Sequence, residues 1–215
     1  MNDASLYDFA QSGATANNDL VAHPGSIDMT HQISRYLASN VAQEPKNTSL
    51  YVLWTGVNDI RLLFEEESDD LARRSMVDAI AASISNDLQR LHDAGAKYIM
   101  LLGLIPLDLI PLYHNQPSDT KQAFNKLVKS YNAALVELLN QFKSEHHDIH
   151  ASYFDTYQLL ETAFSQKELQ RNTRIDCGSS DDCGDMIWWN DLHPATAVHK
   201  KIAQAMYESI ASLGW

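Results

Sequence analysis

Much of what this chain does not contain narrows its function. Basic residues are scarce: 16 Lys and Arg stand against 28 Asp and Glu, a net charge of −12. A surface that acidic repels phosphate backbones, which argues against nucleic acid as a partner. No apolar run reaches transmembrane length, so no membrane-spanning helix is expected. The N-terminal stretch MNDASLYDF has neither a basic start nor an apolar core, so no signal peptide is legible in it. The phosphate-binding loop, the dinucleotide glycine pattern, the G-x-S-x-G elbow and any metal-ligand spacing are all missing. No cofactor and no metal are therefore implied.

Cysteine is nearly absent too. The two that occur, Cys177 and Cys183, lie in DCGSSDDCGD. They are either a small-loop disulfide or two unrelated thiols. Asn47-Thr48-Ser49 is an N-glycosylation sequon in an expected loop. Together these features lean towards a secreted protein.

What is present describes an ordinary globular core. Apolar residues make up 45% and charged residues 20% of 215 positions, which suits one domain spanning 1–215. Strands are expected at 6–10, 50–54, 98–104 and 149–154. Helices are expected near 27–38, with Ser26 as cap, and at 69–94, 119–146, 156–164 and 195–212. Val77, Ile80, Ile84, Leu88 and Leu91 recur on one helical face, and Gly95 is placed to end that helix. Leu50 to Trp54 is a continuous apolar run, read as a buried strand, and residues 55–59 read as a turn. Strands alternating with long amphipathic helices predict an α/β fold with a parallel sheet, whose function collects at the strands' carboxyl ends.

Three segments lie there: Ser12-Gly13, Gly56-Val57-Asn58-Asp59 and Asp191-Leu192-His193-Pro194. Gly56 permits a sharp turn, and an Asn at a strand end can aim an amide N–H at an oxyanion. Taken alone the same block is an Asx turn. His193 has the residue type of a general base, or is a surface histidine capping a helix. His146, His147 and His150 beside Asp148 read as a solvated helix end. Trp188-Trp189 either walls a pocket or joins the core. Glu65 to Glu67 with Asp69 and Asp70 reads as a solvated helix start.

The stretches LYDFAQSGATANN, LYVLWTGVNDI and WWNDLHPATAVHKKIA occur in this order along nearly the whole chain. On these blocks it resembles the SGNH, or GDSL-type, esterase and lipase family, most of all its fungal secreted members, which include carbohydrate acetylesterases. The resemblance implies a flavodoxin-like three-layer α/β/α sandwich and a serine ester hydrolase. It makes His193 the base, with Gly13 and Asn58 as oxyanion donors and Gly56 as the turn glycine. The substrate would be a small ester or an acylated carbohydrate, the protein a secreted monomer.

Two departures matter. No Gly-Asp-Ser block occurs, and the family carries its nucleophile there, on the first strand. Ser5 sits where the family leads into its second strand, and Ser12 is a poor substitute. The expectation is an N-terminally incomplete domain lacking its first strand, inactive as it stands, with unpaired sheet groups costing on the order of 1–3 kcal/mol each if buried. Second, the family's D-x-x-H acid is replaced by Asn190, with Asp191 one residue later. Either would orient His193, although an amide cannot stabilise imidazolium as a carboxylate does. The alternative is a non-catalytic protein that binds carbohydrate or a partner.

Overall fold

The computed structural model describes residues 5–165 and 186–214. The fold is α/β, a three-layer α/β/α sandwich on a small parallel sheet. Its elements are α1 (Met29–Leu37), β1 (Leu50–Leu53), α2 (Val57–Glu66), α3 (Asp70–Asp93), β2 (Tyr98–Leu102), α4 (Ser118–Glu145), β3 (His150–Phe154), α5 (Thr156–Ser165) and α6 (Thr196–Ser212). The strand order is β1-β2-β3, with Leu50 to Leu53 registered in parallel on Tyr98 to Leu101. Cys177 and Cys183 lie outside the described residues.

The chain forms two compact units, each interrupted in sequence. One comprises Met1–Leu102 and Ser130–Tyr153, the other Gly103–Lys129 and Phe154–Trp215. The first holds most of the sheet. Ile99, Met100, Leu101 and Leu102 of β2 are sealed, as a strand between two neighbours demands. α3 buries Val77, Ile80, Ile84, Leu88 and Leu91, the stripe its spacing predicts. Asp69 caps it by accepting from the N–H groups of Leu71 and Ala72. At its other end Gly95, at φ +101°, closes a Schellman motif. Its N–H donates to His92 at 2.8 Å and that of Ala96 to Leu91 at 3.0 Å. The second unit packs Leu104, Ile110, Phe124, Leu160, Ile187, Trp188 and Val198.

Four local expectations change. Residues 6–10 form no strand; Leu6 is 92% exposed, so the apolar alternation there has no sheet to face. Asp28, not Ser26, caps α1: its carboxylate accepts from His31 N–H at 2.8 Å, while the Ser26 hydroxyl donates to the His23 carbonyl. Glu65 and Glu66 end α2 rather than opening a helix. Finally, β1 is an edge strand among the described residues, with Val52 47% exposed. Its apolar run promised burial because an inner parallel strand needs it.

Candidate functional site

In the first unit, residues 55–59 are not a free turn. Gly56 at φ +108° is the N-cap of α2, and its carbonyl accepts from Ile60 N–H at 2.9 Å. Only glycine takes that backbone easily. Space forbids a side chain as well, because a Cβ on Gly56 would overlap the ring of Tyr131. Tyr131 is fully buried and donates its hydroxyl to the Thr55 carbonyl at 3.1 Å. β1 thus hands directly to α2, which places Asn58 and Asp59 in the helix's first turn.

Both residues grip the segment 13–18. Asn58 Nδ2 donates to the Ala14 carbonyl at 2.9 Å. Both Asp59 oxygens accept from Ala16 N–H, at 3.0 and 3.1 Å. Asp28 Oδ2 accepts from Asn18 N–H at 2.9 Å, and Met29 N–H donates to the Thr15 carbonyl. Gly13 sits at φ +76° with its carbonyl accepting from His23 Nδ1. The Gly13 N–H donates to nothing among the described residues. The Ser12 hydroxyl is exposed and has no hydrogen-bond partner among the described residues.

Asp59 is a group the sequence reading passed over. It is fully buried, and burial pushes its carboxyl up to about 7, against the Ala16 hydrogen bonds and with help from the charge of Asp28. Burial likewise raises Asp87, opposed by Thr30 and Arg90. Asp28 stays below its usual range: burial pushes it up, but the Asn18 and His31 hydrogen bonds prevail. The signal available in sequence was the acidic residue itself, in a block otherwise read as polar turn.

In the second unit, His193 ends a turn organised by one atom. Asn190 Oδ1 accepts from Leu192 N–H at 2.9 Å, His193 N–H at 2.7 Å and His193 Nδ1 at 3.0 Å. Because Oδ1 can only accept, this bond selects the Nδ1–H tautomer of the neutral ring, in which Nε2 is the acceptor a general base offers. The Asp191 carboxylate makes no hydrogen bond among the described residues. Its backbone carbonyl instead accepts from Leu112 N–H at 2.9 Å. Of the two residues expected to orient His193, the structure brings Asn190 to the ring.

A comparison with family descriptions decides the classification: the description "GDSL-like Lipase/Acylhydrolase" matches residues 1–206. The chain belongs to the GDSL-like lipase/acylhydrolase family. It is similar to an acetylesterase of Thermothelomyces thermophilus, 30% identical over 94% of this chain and 68% of that protein. A thermolabile hemolysin of Vibrio parahaemolyticus is 26% identical over 97% of this chain and 52% of its own length. A GDSL esterase/lipase of Arabidopsis thaliana is 20% identical over 81% and 57%, respectively. This GDSL chain thus spans about half to two thirds of the relatives it matches. Ester hydrolysis is the activity of the family.

The remaining candidates are scattered. Asn47 is exposed in a short 3-10 turn. His146 Nε2 pairs with Gln89, His92 Nε2 with Asp148, and His150 stacks on Tyr98. Among the described residues no cluster of His, Cys, Asp and Glu is arranged to hold a metal ion. No described helix is long and apolar enough to cross a membrane. Trp188 is buried and Trp189 is not.

Proposed function

We propose that this chain carries the base and the oxyanion donors of a secreted, monomeric serine ester hydrolase. Its substrate is an acyl ester of a carbohydrate or lipid alcohol. His193 Nε2 takes the proton of a serine hydroxyl as that oxygen attacks the ester carbonyl. The Gly13 N–H and the Asn58 amide then receive the charge of the tetrahedral oxygen. His193 returns the proton to the departing alcohol, and water releases the acyl group by the same steps. Asn190 holds the imidazole. No Gly-Asp-Ser triplet occurs among the 215 residues, so the reading puts the serine on a segment outside them.

The observation that carries this reading is the His193 ring held at Nδ1 in a chain matching the family over residues 1–206. The test is the natural protein, deglycosylated and weighed intact. A mass above 24.2 kDa, a Gly-Asp-Ser peptide and p-nitrophenyl acetate hydrolysis abolished by His193→Ala are expected. Hydrolysis indifferent to His193 refutes it. Asn190 in the acid's place favours a second reading, a fold that binds its ester or sugar without turning it over. A mass of 24.2 kDa with ligand binding and no hydrolysis would select that one.

A further inference from the structure

Two tight turns lie side by side in the first unit, and one imidazole joins them. The first runs from Gln11 to Ala14. Gly13 is its third residue, at φ +76°, and Ala14 N–H returns to the Gln11 carbonyl at 3.4 Å. The second runs from His23 to Ser26. Pro24 and Gly25 fill its middle, Gly25 lies at φ +83°, and Ser26 N–H returns to the His23 carbonyl at 3.1 Å. Proline second and a positive-φ glycine third are the residues a type II turn selects. From this second turn His23 Nδ1 reaches across to the Gly13 carbonyl.

The ring has little freedom there. The Ser26 hydroxyl also donates to the His23 carbonyl, at 2.8 Å, and His23 N–H donates to Asn18 Oδ1 at 3.3 Å. The imidazole also lies close over the glycine, because a Cβ on Gly13 would meet His23 Cε1 at 3.0 Å. A carbonyl only accepts, so Nδ1 carries the proton in this bond. Gly13 is half-buried. Water satisfies such a carbonyl nearly as well as a side chain does, but it does not fix the direction of the peptide. The bond from His23 Nδ1 and the one from Asn58 Nδ2 to the Ala14 carbonyl hold two consecutive peptides. Both lie directly after the Gly13 N–H.

We infer that His23 is a positioning residue for ester hydrolysis: its Nδ1–H holds the Gly13 peptide so that the Gly13 N–H stays aimed at the tetrahedral oxygen. This rests on the hydrolase reading, with Gly13 as an oxyanion donor. His23 acts through Gly13 and touches no reacting atom. A donor that drifts loses its grip on the charge of the transition state and little of ground-state binding, so its loss falls on kcat rather than KM.

The natural protein carrying His23→Leu or His23→Asn is assayed on p-nitrophenyl acetate. Leucine keeps a branched side chain of similar reach without the donor. Asparagine puts an amide N–H at the branch position that Nδ1 holds. His23→Leu should lower kcat at least about tenfold with KM within about twofold, and His23→Asn should recover most of that loss. An unchanged kcat in His23→Leu, a loss carried by KM, or no recovery in His23→Asn overturns the inference. Should leucine at 23 prevent folding, the ring nitrogen NMR shifts of the wild type decide. A neutral His23 protonated at Nδ1 is expected, and the Nε2–H tautomer overturns the inference. Hydrolysis that needs His193 yet ignores His23→Leu sinks this inference alone. Hydrolysis indifferent to His193→Ala sinks the hydrolase reading and this inference with it.

Discussion

Asp59→Asn tests the buried carboxylate that clamps the loop at 13–18. Raising a carboxyl from its ordinary 3.8 to about 7 corresponds to about 4 kcal/mol between its protonated and ionised forms. The sign follows from proton binding. An unfolded chain releases the Asp59 proton near pH 4, whereas the folded protein keeps it until about 7. Between those values the native state binds more protons than the unfolded state, so stability falls as pH rises. Below pH 4 the effect is fully absent, and above about 7 the cost of the buried charge is fully present. Asparagine carries no charge at any pH and still offers Oδ1 to the Ala16 N–H. Urea unfolding from pH 4.5 to 8 should show an Asp59-linked decline in the wild type that Asp59→Asn lacks, the two differing by about 3 kcal/mol in total change over that range. Asp87, raised by burial in the same unit, adds its own slope to both proteins and cancels in the difference. Parallel stability curves for wild type and variant would refute the reasoning.

Gly56→Ala places a methyl group on a left-handed backbone against the Tyr131 ring, so a loss of about 3 kcal/mol in urea unfolding is expected; an unchanged midpoint would be evidence against that strain. Asn190→Asp puts a carboxylate where His193 Nδ1 now meets an amide oxygen, and in the natural protein kcat should rise about tenfold or more towards p-nitrophenyl acetate. Asn190→Ala removes the acceptor of three hydrogen bonds and should lower kcat by at least as much, with both effects read in steady-state kinetics. Val52→Lys charges the exposed face of an edge strand and should slow aggregation in light scattering, since edge lysines oppose strand-to-strand association; faster aggregation would show the edge is not the route.

How far the sequence could be read depended on the range of the interactions. The α3 stripe and its Gly95 ending were legible because spacing and capping act within one helix. β2 was legible because its apolar run is sealed on both sides. The run at Leu50 to Leu53 carried the same signal yet is an edge strand among the described residues, because burial depends on neighbours that a local pattern does not encode. The strand expected at 6–10 failed for the same reason. In the candidate site, His193 and its alternatives could be named, but the choice of Asn190 over Asp191 needed the turn's geometry. Gly56 read as a turn glycine, yet α2 begins directly after it, since Tyr131 from a distant helix fixes that corner. Asp59 was missed because a buried acid and an exposed turn acid look identical in one dimension.

The contact between Gly56 and Tyr131 also constrains how this protein can vary. The ring occupies the volume any side chain at 56 would need, and its hydroxyl is tied to the adjoining Thr55 carbonyl. A change at 56 alone meets the ring, and trimming 131 alone leaves a hole and an orphaned carbonyl at the end of β1. The pair behaves as one heritable unit. Libraries that randomise either position singly should return the parent residue, and productive alternatives would arise only when both codons are varied together.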